Sequence, residues 1–290
     1  MKPKRIVFYI LLVIIMFAYN FYLRPIEGNK LVTPEYKQSD AYINDLYMSD
    51  EHFKHSILAE DEYYIYDEII KGTKDDLTSV KIFCDKPNCI ELFEKAYYAI
   101  YLDHPELISF LGIRTYSYEN NYLNYYNYEN NSQLKSYLGA RRIAREMEIV
   151  RKETKDMSEK EKILYVYNYI GSHNYDKLFM ITGPNQSAYS FFTKGSSVCA
   201  GFAKAAQITF QNIGINSYLV LSGTHMWNYV EYEGKYYIFD ATYGASFRDK
   251  SSDYYYAGLG NTTSEETMGV FSEYYPEIEF NTKLRDIFDV

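Results

Sequence analysis

Cysteine is scarce in this chain: only Cys84, Cys89 and Cys199 occur in 290 residues. That length and cysteine count rule out a disulfide-stapled mini-protein, and 47% hydrophobic residues suffice for one large core or two modest ones. A basic stripe is also lacking. Thirty Lys and Arg against 39 Asp and Glu leave a net charge of -9, with the acidic residues scattered. No nucleic acid is expected as a partner, because a binder needs clustered cations for the phosphates. Nothing repeats at a fixed period, which excludes a solenoid. No acidic loop of EF-hand type is present, and the Cys84/Cys89 spacing has no second cysteine pair or His cluster beside it. Neither a metal nor another cofactor is therefore expected. Tyrosine is abundant, at 35 residues. Tyrosine-rich surfaces can serve recognition, but a biased genome composition accounts equally well for the count.

The N-terminus carries one long apolar run. After Lys2, Lys4 and Arg5, residues 6–23 (IVFYILLVIIMFAYNFYL) form an 18-residue stretch in which Asn20 is the only non-aromatic polar side chain. As a helix it spans roughly 27 Å, close to the hydrocarbon thickness of a bilayer. The basic flank predicts a cytoplasmic N-terminus with the remainder exported. A cleaved signal peptide is the competing reading, with an apolar region of about 7–15 residues and a small-x-small exit. Only Ala18 is small near this exit, which favours an uncleaved signal anchor. Export gives the cysteines meaning. Cys84 and Cys89 flank Asp85-Lys86-Pro87-Asn88, a turn that can close a short disulfide in an oxidising compartment; two ordinary buried thiols are the alternative. Cys199 is left over.

Periodicity predicts helices over residues 58–71, 88–103 and 133–155, with strands near 77–83, 109–116 and 122–128. Ser158 and Glu161 have capping-box spacing, which predicts a further helix start. Residues 175–194 read as a loop holding Gly183 and Pro184. Ser196 and Ser197 are good N-cap residues, and Ala200–Gln211 is a helical run closed near Gly214. Cys199 thus falls in the first turn of a helix. There the backbone N–H groups and the macrodipole favour a thiolate, the nucleophilic form.

Three strands follow, at 217–223, 225–232 and 235–244, the last two joined by Glu233-Gly234 as a two-residue turn. That turn pairs Tyr232 with Lys235 and places Trp227 opposite Asp240. His225 shares the alternating face of Trp227, so His225 and Asp240 are diagonal neighbours about 7 Å apart at the backbone. A carboxylate there can accept the imidazole N–H and stabilise its charged form. A helix N-terminus packed on that face would bring Cys199 to the pair and complete a nucleophile, a base and an orienting acid.

At these residues the chain resembles the transglutaminase-like superfamily. The pattern of a Gly-x-x-Cys-x-Gly-aromatic-Ala helix start, His-x-Trp-Asn and Asp-x-Thr is met by GSSVCAGFA at Cys199, HMWN with His225, Trp227 and Asn228, and FDATYG with Asp240 and Thr242. Tyr175-Asp176, the segment from Ser187 to Cys199, and AYYAIYLDHPEL from Ala96 look like exported bacterial members of it, so the likeness runs from about Leu58 to Tyr275. The resemblance implies an α+β, papain-like core in which the nucleophile helix packs on an antiparallel sheet, preceded by an N-terminal α/β extension and a transmembrane helix. It implies that Cys199, His225 and Asp240 act as a catalytic triad, and that the reaction is acyl transfer or hydrolysis at peptide or glutamine amide bonds of a protein, peptide or cell-wall peptide. The calcium-binding segments of the animal crosslinking enzymes are not recognisable here. For the oxyanion, the Cys199 N–H is one donor, and Gln186 and Tyr189 are candidates for the other. The expected organisation is a cytoplasmic flank at 1–5, an anchor at 6–23, a linker and stalk at 24–57, an α+β subdomain at 58–131 and a catalytic domain at 132–290, held outside a cell membrane by a single span. The competing expectation is a non-catalytic cell-surface binding module on the same fold.

Overall fold

A computed structural model describes residues 51–74, 79–106, 114–127, 133–176, 183–222, 225–250, 254–260 and 284–290. All belong to one compact unit, Ile43–Val290. The apolar segment 6–23 and its basic flank lie outside the described residues. Among the described residues no helix is long and apolar enough to cross a membrane.

The chain is mixed α and β with antiparallel sheets. Helix α1 (His52–Ile57) falls within the stretch expected to be linker, yet Phe53 is fully buried. It is followed by α2 (Tyr63–Lys74), β1 (Ser79–Phe83), α3 (Cys89–Asp103), β2 (Arg114–Glu119) and β3 (Tyr122–Asn127). The buried Asp103 carboxylate, at the end of α3, accepts the backbone N–H groups of Phe53 and Lys54 at 2.9 Å each and so caps α1. Removing a helix cap of this kind costs about 1 kcal/mol. The sheet order is β1-β3-β2, antiparallel throughout. Its β2–β3 hairpin turns on Asn120 and Asn121, both at positive φ (52° and 63°), a conformation asparagine tolerates and a two-residue turn requires. Cys84 and Cys89 form a disulfide with their Cα atoms 6.0 Å apart.

Helices α4 (Gln133–Thr154) and α5 (Glu159–Gly171) come next. Helix α5 opens on the expected capping box: the Glu161 carboxylate accepts the Ser158 N–H at 2.8 Å while the Ser158 hydroxyl accepts the Glu161 N–H. The expected loop at 175–194 contains a 3-10 turn at Gly183–Gln186 and helix α6 (Ala188–Lys194). Ser187 caps α6 by accepting the Ser190 N–H at 3.0 Å, Phe191 and Phe192 are buried, and Gly195 ends it at φ 68°. Two short strands, β4 (Asn174–Tyr175) and β5 (Ser196–Ser197), pair in parallel.

Helix α7 (Cys199–Asn212) is buried from Ala200 through Phe210. It packs on the sheet β6 (Ser217–Ser222), β7 (His225–Tyr232) and β8 (Lys235–Phe239), whose order is β6-β7-β8, antiparallel. Two short helices, α8 (Thr242–Ser246) and α9 (Leu284–Phe288), complete the described chain. A helix apolar on nearly every side belongs in an interior. Phe202, Ala205, Ala206, Ile208 and Phe210 of α7 join one core with α4, α5, α6 and Phe239. Ala200 and Ala203 join a second core, formed by residues 53–125 with Leu219 and Met226.

Candidate active site

Cys199 is the first residue of α7, but Ser196 and Ser197 do not cap that helix. They form β5, and the N-cap position is Val198, which offers no side-chain oxygen. Ser197 is instead buried, its hydroxyl donating to the Asn185 carbonyl and meeting Ser190 Oγ at 3.1 Å. A β-carbon at Gly201 would overlap the Ser197 hydroxyl, so the glycine two residues after Cys199 lets the helix start close upon β5. With no side-chain cap at Val198, the backbone N–H groups of Ala200 and of Met226, at the start of β7, favour negative charge on the Cys199 sulfur.

The β7–β8 hairpin has the expected register, Tyr232 opposite Lys235, turning on Glu233 and Gly234 at φ 51° and 74°. Strand β8 stops at Phe239, however, rather than continuing to Gly244. The Asp240 carboxylate accepts the Thr242 N–H at 3.0 Å and the Thr242 hydroxyl through Oδ1, an Asx-type turn that bends the chain into α8. Asp240 therefore has no ladder partner opposite Trp227, and its N–H goes to the Gly258 carbonyl at 2.8 Å. Its second oxygen, Oδ2, lies 2.7 Å from His225 Nε2. That leaves His225 Nδ1 as the nitrogen that can face the thiol, and the imidazole and the sulfur act on each other's charge.

The route by which the three meet differs from the expectation. Asn228 donates to the Ala203 carbonyl at 3.0 Å, and Met226 packs with Ala200 and Ala203. Helix α7 thus covers the Met226/Asn228 face of β7. Trp227 points the other way, into a small cluster with Val220, Tyr229 and Ile238. His225 belongs to that far side, its ring stacked on Trp227 at 5.7 Å, but it is the first residue of the strand. The thiol reaches it around the strand end, where the N–H of Met226 also meets the sulfur.

Burial opposes the charge on His225, but the Asp240 carboxylate and the Cys199 sulfur outweigh it and hold the imidazole up at about 10. Burial pushes the Cys199 thiol up; the His225 hydrogen bond and charge, with the two backbone N–H groups, bring it below its ordinary value. The pair therefore favours thiolate and imidazolium. Asp240 is only 4% exposed while the His225 side chain is 40% exposed, so the carboxylate is sealed and the imidazole open to an incoming molecule.

No family model matches the chain, and no curated protein matches it. Among solved structures it is similar to one described as "Crystal structure of a TGase", at 17% identity and a TM-score of 0.34, over 44% of this chain and 44% of that one. The likeness thus spans less than half of that protein.

Gln186 ends the 3-10 turn whose Asn185 carbonyl accepts the Val198 N–H at 3.2 Å, and Tyr189 lies half-buried on α6. Neither is among the main groups acting on the thiol. Two tyrosines that sequence reasoning gave no role do feel Cys199: Tyr175 on β4 and Tyr101 on α3, whose phenols are raised by burial and then by neighbouring charge that includes Cys199. Tyr175 stood within the Tyr-Asp pair that marks the family resemblance, a signal that could have placed it near the site. Among the described residues no group of three or more His, Cys, Asp or Glu side chains converges as a metal site.

Proposed function

We propose that the protein is a thiol enzyme of transglutaminase-like type, performing acyl transfer or hydrolysis at peptide or glutamine amide bonds. The supporting observation is the chain of contacts from Cys199 to His225 and from His225 Nε2 to Asp240 at 2.7 Å, at the start of a buried helix. In this reading the Cys199 thiolate attacks the amide carbon, forming a C–S bond while the carbonyl π pair moves to oxygen. His225 then delivers its proton to the departing nitrogen as the C–N bond breaks, leaving a thioester. Water or an amine takes the acyl group from sulfur, and its proton returns through His225. Asp240, held by Thr242, orients the ring throughout.

Incubation with glutamine-containing peptides and cell-wall peptide fragments, followed by intact-mass analysis, should detect an acyl adduct on Cys199. Cys199→Ala should abolish both adduct and turnover, and turnover that survives this substitution sinks the reading. The 18-residue apolar run behind a basic flank supports an anchored, extracytoplasmic placement, as does the Cys84–Cys89 bridge. Protease added to intact cells should then remove the region from residue 51 onward; its survival beside a digested surface protein argues against that placement.

A further inference from the structure

Strand β1 lies at one edge of the β1-β3-β2 sheet. The Cys84 N–H donates to the Asn121 carbonyl at 2.8 Å, which sets the phase of the β1–β3 ladder. Val80, Ile82 and Cys84 turn their backbone groups towards β3, so those of Lys81 and Phe83 face outward. Among the described residues nothing pairs with them. Along this edge runs a groove of about 530 Å³, between Tyr64 and Glu68 of α2 and Lys81–Phe83 of β1, with Asp85 at its end. A free edge of this kind is a template for a further strand. Phe83, 54% exposed, is available to meet one.

The charges along the edge say which strand fits. Lys86 is already matched to Asp61 at 2.7 Å, and Glu68 to Lys71 at 3.8 Å. Lys81 has only the Tyr122 ring beneath its ammonium, at 4.1 Å, and among the described residues neither Lys81 nor Asp85 has an ion partner. Both are exposed, and they flank Phe83 two residues away on either side. In an antiparallel pair centred on one residue, the position two before the centre opposes the position two after it. The run Lys81-Ile82-Phe83-Cys84-Asp85 is therefore its own antiparallel complement. Paired about Phe83, two copies set Lys81 opposite the partner's Asp85 twice over and bring the two Phe83 rings side by side. Centring on Lys81 instead would oppose two lysines. We propose that the strand taken up by this edge is β1 of a second copy of the chain, giving a dimer with its two-fold axis at Phe83. The two sheets then join into one of six antiparallel strands, β2-β3-β1-β1-β3-β2, and the shared patch is self-complementary, so assembly closes at two. The inference does not depend on the thiol-enzyme reading.

Sedimentation equilibrium of the full-length protein, in detergent micelles that cover the apolar run at 6–23, should show a monomer–dimer equilibrium. Lys81→Glu opposes acid to acid at both pairs, and Asp85→Lys opposes base to base. Each variant alone should therefore have a dimer dissociation constant raised roughly tenfold, as two cross-strand attractions become repulsions. Mixed in equal amounts, the two variants bring opposite charges together again and should form a heterodimer about as tight as the parent dimer. That recovery also shows that both variants are folded. A parent that stays monomeric up to its solubility limit, a dimer that neither substitution weakens, or a mixture that fails to recover the association each overturns the β1 pairing.

Discussion

A thiol and an imidazole in contact protect each other's charge, and the direction of each shift sets a pH dependence. His225, raised to about 10, is protonated across the neutral range, and Cys199, lowered from its ordinary value, has surrendered its proton earlier than a free cysteine does. Iodoacetamide labelling of Cys199 should therefore titrate at a midpoint below that of a free cysteine. His225→Ala removes the largest group that lowers the thiol and should move that midpoint up, because burial is then opposed only by the backbone groups of Ala200 and Met226. Turnover of an amide has a second limb. It needs the imidazolium proton for the leaving nitrogen, so kcat/KM should fall again as pH rises through about 10, giving a bell-shaped profile. A labelling midpoint that His225→Ala leaves unmoved would show that the helix start, rather than the histidine, governs the thiol.

The elements around the site carry constraints that side-chain chemistry does not reveal. A β-carbon at Gly258 would overlap the Asp240 carbonyl oxygen and press on the Tyr167 hydroxyl, and no positive φ accounts for this glycine. Space alone demands it. Gly258→Ala should therefore displace the backbone of Asp240, costing about 1–3 kcal/mol of stability by overpacking. It should also slow acylation of Cys199 by more than the stability loss explains, since His225 loses its fixed partner. Denaturant midpoints read beside single-turnover rates check this, and full acylation activity in a destabilised variant would refute it. The same stretch shows where sequence reading succeeds and stops. The Glu233-Gly234 turn and the alternation on either side of it were sufficient to place Tyr232 opposite Lys235 and to bring His225 near Asp240. Alternation could not foretell that Asp240 would end its strand, because the cause is a side chain accepting from Thr242 two residues on. Nor could it say which face α7 covers: period two separates Met226 and Asn228 from Trp227 without naming the covered side. Helix α6 was hidden within a presumed loop, although Ser187, Phe191, Phe192 and Gly195 are a cap, an apolar pair and a terminator.

At the scale of the molecule the decisive feature is that α7 serves two cores at once. Lys204 shows how closely the two halves are joined there: it is buried on α7, with Nζ 4.1 Å from the centre of the Tyr101 ring of α3. Burial pulls its ammonium down to about 7, a cost that only a committed interface sustains. Residues 53–125 and the helix that begins with Cys199 should therefore unfold together. The Cys84–Cys89 bridge tests this, because it lies in the N-terminal core, sequence-distant from the site, and closes a loop of six residues. From loop entropy its removal should cost about 2 kcal/mol. Trp227 is the only tryptophan in the chain and stacks on His225, so its fluorescence reports unfolding at the site alone, whereas far-UV circular dichroism reports both halves. In the Cys84→Ser/Cys89→Ser variant both signals should move to the same lower denaturant midpoint in one transition. A dichroism curve that splits in two, with the tryptophan midpoint unmoved, would mean that the N-terminal core melts by itself and that α7 does not bind the halves into one cooperative unit.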